Sequence, residues 1–136
     1  MKVMIDLNVI LDVVTNRPQW VNASAKVCTI AGSGSRLQAI ISPHAITTVY
    51  YLARKHANKV TAERAVDWLM EFFGLAPCGL NEFRRARELP INDFEDAVVA
   101  SGAESSNCDY IVTRNLSDFN GSPVKAISPE DFCRLF

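Results

Sequence analysis

No aspartate or glutamate occurs from Val13 to Ala62, more than a third of the 136 residues. That absence removes carboxylate chemistry from the whole stretch. It leaves Arg17, Lys26, Arg36, Arg54, Lys55 and Lys59 together, a local charge of +6. The other residues hold eight basic and fifteen acidic side chains, a charge of −7, so the net value of −1 hides a marked asymmetry. A basic surface beside an acidic centre suits a phosphate-bearing ligand. Scattered surface lysines and arginines are the plainer reading.

Long apolar runs are missing too. No stretch approaches the roughly 18–20 residues of a membrane span, and no signal-peptide pattern follows Met1 and Lys2. The expectation is a cytoplasmic protein with no membrane association. Cysteines are few and scattered: Cys28, Cys78, Cys108 and Cys133 form no CxxC pair, and only His44 and His56 could join them. Zinc spacing is therefore excluded, and the cysteines read as core thiols. No repeat, low-complexity tract or linker divides the chain. With 49% hydrophobic and 21% charged residues, residues 1–136 read as one globular domain.

What is present alternates. Val3–Ile5 reads as a buried strand and Val9–Val14 as a short helix, closed by the turn signal Thr15–Pro18. Asn22–Ile30 has helical spacing, and Gly32-Ser33-Gly34-Ser35 ends it in a flexible turn. Leu37–Ile41 is a second strand. Ser42 as N-cap and Pro43 at the first helical position open the next helix, which ends near His56. An amphipathic helix starts at Thr61 and stops at Gly74. Leu75–Leu80 is a weaker strand, and Asn81 caps a helix through Arg87. Asp93–Ser105 is helical, Tyr110–Thr113 is the clearest buried strand, and Val124–Ile127 and Glu130–Leu135 close the chain. Strands alternating with helices predict an α/β three-layer sandwich, its central parallel sheet of four to five strands flanked by helices.

In such a sheet, ligands bind at the carboxyl ends of the strands. Asp6 follows strand one. Asp118 follows the Tyr110–Thr113 strand by a short turn. Asp93 and Asp96 begin a helix whose far end feeds that strand, so its start lies at the same edge. Each acid has a structural alternative: Asp6 and Asp93 as helix caps, Asp96 in a capping box, Asp118 in an Asx-turn. Their convergence favours a shared purpose. Clustered carboxylates repel unless a cation neutralises them. Oxygen donors alone suit Mg²⁺ or Mn²⁺ rather than zinc. Such ions, shared with substrate phosphates, support phosphodiester hydrolysis.

Three segments carry a family resemblance: Met4–Asp12, Phe94–Ala100, and Asp109–Phe119 with its Thr113-Arg114-Asn115-Leu116-Ser117-Asp118-Phe119 core. Together, in this order, they resemble the PIN domain, a compact α/β metal-dependent nuclease fold, over nearly the whole chain. The resemblance implies a metal-dependent endoribonuclease acting on RNA, commonly the VapC-like toxin of a bacterial toxin–antitoxin pair. An antitoxin protein and a homodimer are the partners it implies. Residue by residue, Asp6 matches the first metal-binding acid, Asp96 the acid on the helix and Asp118 the last acid. Asn8 matches the asparagine of the opening motif and Asn115 a polar residue before the last acid. Asp93 is a supporting candidate.

One departure stands out. PIN domains usually carry another acid on the helix after strand two, here expected near Thr48. The acid-free stretch rules out recovering it by realignment, and a threonine hydroxyl brings no charge. The departure predicts weaker metal binding. It also opens an alternative, a degenerate domain that binds RNA or protein without cutting. Arg114, adjoining the acidic edge, is the expected substrate-phosphate contact, and the Arg84-Arg85-Arg87 face reads as solvated. His44 reads as a first-turn surface histidine. Tyr50-Tyr51 reads mainly as core packing, with a dimer face as the alternative. A haloacid-dehalogenase-type phosphatase would need a second Asp two residues after Asp6, where Asn8 stands.

Overall fold

The computed structural model describes residues 1–34 and 36–136. The expected turn at Gly32–Ser35 is described as far as Gly34, which has φ of 78°; Ser35 lies outside the described residues. The strands are β1 (Lys2–Ile5), β2 (Gln38–Ile41), β3 (Gly74–Leu75), β4 (Tyr110–Val112) and β5 (Ala126–Ile127). The helices are α1 (Leu7–Val14), α2 (Val21–Gly32), α3 (His44–His56), α4 (Lys59–Phe72), α5 (Leu80–Glu88), α6 (Phe94–Ser105) and α7 (Pro129–Cys133), with a 3-10 turn at Leu116–Phe119. All strand pairs are parallel, in the order β3-β2-β1-β4-β5. The α/β class and the layered parallel sheet are as the alternating pattern predicts.

β1 shows why the run Val3–Ile5 is apolar throughout. Side chains alternate between the faces of a strand, and both faces are covered here. Val3 and Ile5 join one core with Val9, Ile10, Val27, Val49 and Phe132. Met4 joins the other with Ile40, Val99, Ala100 and Ile111. α6 lies close on that second face because Gly102 has no side chain. A Cβ there would stand 3.3 Å from Ala76 Cβ and 3.5 Å from Met4 Cε. Gly102 is thus a point of close approach.

Several boundaries differ from expectation for identifiable reasons. The third strand is only Gly74–Leu75, because Pro77 and Gly79 cannot sustain an edge ladder. Ser42 does not cap α3: its Oγ lies 2.8 Å from His44 Nδ1, and the helix begins at His44 without a side-chain cap. α4 starts earlier than Thr61, since Asn58 Oδ1 accepts the Thr61 N–H at 2.8 Å. In α5, Gly79 takes the N-cap position in place of Asn81, and its N–H donates to Glu82 Oε2 at 2.8 Å. Asp93 caps α6 by accepting the Asp96 N–H at 3.0 Å, as the sequence suggests.

The strand order places the functional edge. From β1 the chain winds outward through β2 to β3, then returns to lay β4 on the other side of β1. The reversal opens a crevice between the carboxyl ends of β1 and β4, where open α/β sheets bind ligands. Asp6 follows β1 directly, and its N–H donates to the Val112 carbonyl of β4 at 3.0 Å.

Candidate metal and phosphodiester site

Asp6 caps α1 while facing that crevice. Leu7 N–H donates to Oδ1 at 2.8 Å. Thr113 Oγ donates to Oδ2 at 2.8 Å, and Asn8 Nδ2 donates to the same oxygen at 3.0 Å. The residue is 6% exposed, and burial raises its carboxyl above the ordinary aspartate value. The hydrogen bonds from Thr113 and Leu7 oppose that rise. Glu95 adds to it, and His44 draws the value back down. Cap and functional acid are therefore compatible roles for one side chain.

Asp96, half-buried in the first turn of α6, is the meeting point of the acids. It lines a small cavity of about 160 Å³ with Asp6, Asn8, Glu95 and Asn115. It also lines the neighbouring cleft of about 310 Å³ with Asp93, Ser117 and Asp118. Burial, then the charges of Asp6, Asp93, Asp118 and Glu95, push its carboxyl up to about 7. Asp93 and Asp118 are exposed. Among the described residues, neither Asp96 nor Asp118 has a lysine or arginine ion-pair partner. The fold has gathered carboxylates at one edge, and their mutual repulsion helps to raise Asp96.

Oxygen-only donors with an unbalanced negative charge fit a hard divalent cation in kind. They are not gathered around one point: among the described residues no three His, Cys, Asp or Glu side chains form a closed metal cage. Both oxygens of Asp6 are held by donors.

The other expected residues fall in different places. Asn8 holds Asp6, and its Oδ1 faces the Arg114 N–H at 3.4 Å. Asn115 lines the smaller cavity and donates its N–H to Thr113 Oγ at 3.1 Å. Thr48 is half-buried on α3 and lines neither cavity. Arg114 corrects an expectation. It does not stand over the acidic edge as a free cation: its Nε donates to buried Asp12 Oδ2 at 2.8 Å, and its side chain is 16% exposed. The apolar helix-like pattern around Asp12 gave no sign that this acid would be buried and demand a partner.

Thr113 and Glu95 were not singled out from sequence, and His44 was read differently. Thr113 is fully buried and supplies the hydroxyl that holds Asp6; its place at the end of a buried strand beside β1 was the available signal. Glu95, exposed in the first turn of α6, lines the cavity. His44 is not a solvated first-turn residue. It inserts between Ser42 and Glu95, with Nε2 3.1 Å from Glu95 Oε1, near enough for an ion pair but not aligned as a hydrogen bond.

Comparison with known proteins places these features in a family. A family model described as PIN domain matches residues 2–117. No curated protein sequence matches the chain. Similar solved structures include DNA-bound VapBC from Salmonella typhimurium, at TM-score 0.72 and 17% identity, covering 95% of this chain and 98% of that one. VapBC2 from Rickettsia felis, bound to a DNA fragment from their promoter, has TM-score 0.70 and 17% identity, covering 94% and 98%. VapC20 from Mycobacterium tuberculosis, a sarcin-ricin loop cleaving toxin, has TM-score 0.65 and 9% identity, covering 80% and 86%. At such identities these likenesses show a shared fold. The family model, spanning most of the sequence, shows more: the chain belongs to the PIN domain family.

Proposed function

We propose that this single-domain protein is a metal-dependent endoribonuclease, the toxin of a toxin–antitoxin pair acting in the cytoplasm. One observation carries the reading: Asp6, Asp96 and Asp118 come from distant sequence to the carboxyl edge of the sheet, where Asp96 lines a cavity with each of the other two and, among the described residues, no lysine or arginine pairs with any of them. In this reading Asp6, Asp96 and Asp118 hold Mg²⁺ or Mn²⁺, with Asp93 in support. A bound divalent ion would supply Lewis acidity toward the phosphate and a nucleophile drawn from water. The protein's own groups do the positioning. Thr113 and Asn8 fix Asp6, and Asn115 lines the cavity where an RNA phosphate would lie. VapBC complexes among the similar structures support an antitoxin partner. Tyr51, 62% exposed on α3, supports a homodimer face there.

RNA cleavage by the purified protein in Mn²⁺ or Mg²⁺ tests the reading. It should stop in excess EDTA and in Asp6→Asn. Cleavage that persists in either case refutes it. A second reading has its own support: the acid-free stretch from Val13 to Ala62 and the lack of a closed carboxylate cage among the described residues. Under it the domain binds RNA or protein without cutting. RNA binding would then survive EDTA, with no cleavage at any metal concentration.

A further inference from the structure

Asp12 is a carboxylate where α1 presents its buried side. It follows Val9, Ile10 and Leu11 and is fully buried. A buried charge is costly unless it is paired and hydrogen-bonded. Three groups meet it. Arg114 Nε and Ser24 Oγ each donate to Oδ2 at 2.8 Å, and Arg17 Nη1 lies 3.6 Å from Oδ1. The Arg114 guanidinium carbon lies 4.0 Å from the Trp20 ring centroid, a cation–π contact. The planar fork of Arg114 is thus fixed on two sides. None of this touches the acids of the crevice.

Its importance lies in what Arg114 is joined to. The residue before it, Thr113, donates to Asp6. The residue after it, Asn115, donates its N–H back to Thr113 and lines the cavity. The 3-10 turn bearing Asp118 follows at once. On the other side, α1 carries Asn8 and Asp12 one turn apart. The loop after β4 is therefore fastened to α1 at two points. The contact at Asn8, 3.4 Å from the Arg114 N–H, is long and weak. The contact at Asp12 is short, charged and covered.

We infer that Asp12, acting through Arg114, is a positioning residue that sets residues 113–118 against α1. Thr113 is thereby held on Asp6, and Asp118 is kept beside Asp96. The pair touches neither substrate nor reacting atoms. Its catalytic consequence rests on the nuclease reading; its structural consequence does not. An apolar pair of similar volume would support the fold as well as a buried ion pair does. What it would lack is the directional hold on the loop.

The test uses the double variant Asp12→Leu/Arg114→Met, which leaves no unpaired buried charge, and Arg114→Lys, which keeps a cation for Asp12 but loses the planar fork. Amide hydrogen exchange is read at Asn115, with Ile5 and Val112 as internal references. RNA cleavage in Mn²⁺ gives kcat and KM. In the folded double variant the Asn115 amide should exchange at least about tenfold faster while Ile5 and Val112 keep their protection. Its kcat should fall at least about tenfold with KM within about twofold of wild type. Arg114→Lys should fall between the two in both readouts. Exchange at Asn115 that stays at the wild-type rate in both variants overturns the inference, as does an unchanged kcat in an active protein. If the wild type cuts no RNA but exchange changes as stated, the nuclease reading fails and the positioning pair stands.

Discussion

Thr113→Val probes the hold on Asp6 most directly. Valine has nearly the shape of threonine, so the fully buried site is neither emptied nor overfilled. What is lost is one O–H. It donates to Asp6 Oδ2 at 2.8 Å, and its oxygen accepts the Asn115 N–H at 3.1 Å and Asn8 Nδ2 at 3.3 Å. Asn115 is exposed, so water can replace its bond, and Asn8 Nδ2 keeps its shorter bond to Asp6 Oδ2 at 3.0 Å. Asp6 is 6% exposed and keeps only the Leu7 and Asn8 donors. A hydrogen bond to a charged group contributes about 1.5–3 kcal/mol, so the variant should lose about 2 kcal/mol of stability at neutral pH. For a domain of this length that is a drop of about 6–8 °C in Tm. Urea unfolding should show a lower midpoint with an unchanged slope. Thr113→Ser, which restores the hydroxyl, should recover most of the loss. A double-mutant cycle with Asp6→Asn should give a coupling of about 1 kcal/mol or more. Stability unchanged in Thr113→Val, or effects that simply add, would refute the argument that Thr113 serves the Asp6 carboxylate.

Gly102→Val should destabilise the fold by about 1–3 kcal/mol, because even its Cβ would meet Ala76 at 3.3 Å; chemical denaturation measures this, and a neutral result would mean α6 can lift from the sheet. The α5–α6 clasp from Arg85 to Glu104, at 2.8 and 3.1 Å, holds the Glu104 carboxyl below its ordinary value, so its stabilisation is present above the unfolded glutamate pKa and lost as pH falls through the lower folded one. Both side chains are more than a third exposed, so Glu104→Gln should lower Tm by no more than about 2 °C at pH 7. That difference should shrink as pH falls below the ordinary glutamate range and be gone once Glu104 is protonated in the folded state, and one that grows in acid would contradict the pairing. Burial pushes the Cys28 thiol up to about 12, so at pH 8 only about one molecule in ten thousand carries its thiolate. Iodoacetamide followed by peptide mass spectrometry should find Cys28 essentially unmodified in the native protein and rapidly modified in urea.

Much of this architecture was legible before any coordinates. Val3–Ile5 and Tyr110–Val112 are uniformly apolar because both sheet faces are covered, and that run is visible in sequence. Asp93 as a cap, with Asp96 three residues on, follows from helix-start chemistry. The placing of Asp6, Asp96 and Asp118 at one edge followed from the alternation of strands and helices, since a parallel sheet puts all its strand ends together. The acid-free stretch is a property of sequence alone, and no fold can restore an acid near Thr48.

Other features depended on distances between residues far apart in the chain. A glycine inside a helix is unfavourable by propensity alone, and only the approach of Ala76 and Met4 gives Gly102 its reason. His44 looked solvated until α6 brought Glu95 beside it. Arg114 looked free because a cation next to an acidic edge has no stated partner in one dimension. Its partner, Asp12, lies 102 residues away and is chosen by burial, which periodicity does not price for a lone polar residue on a short helix. Local sequence determined which elements form and which acids lie at their ends. Tertiary packing decided which polar side chains lose their water, and a group that loses its water must find a partner wherever the fold supplies one.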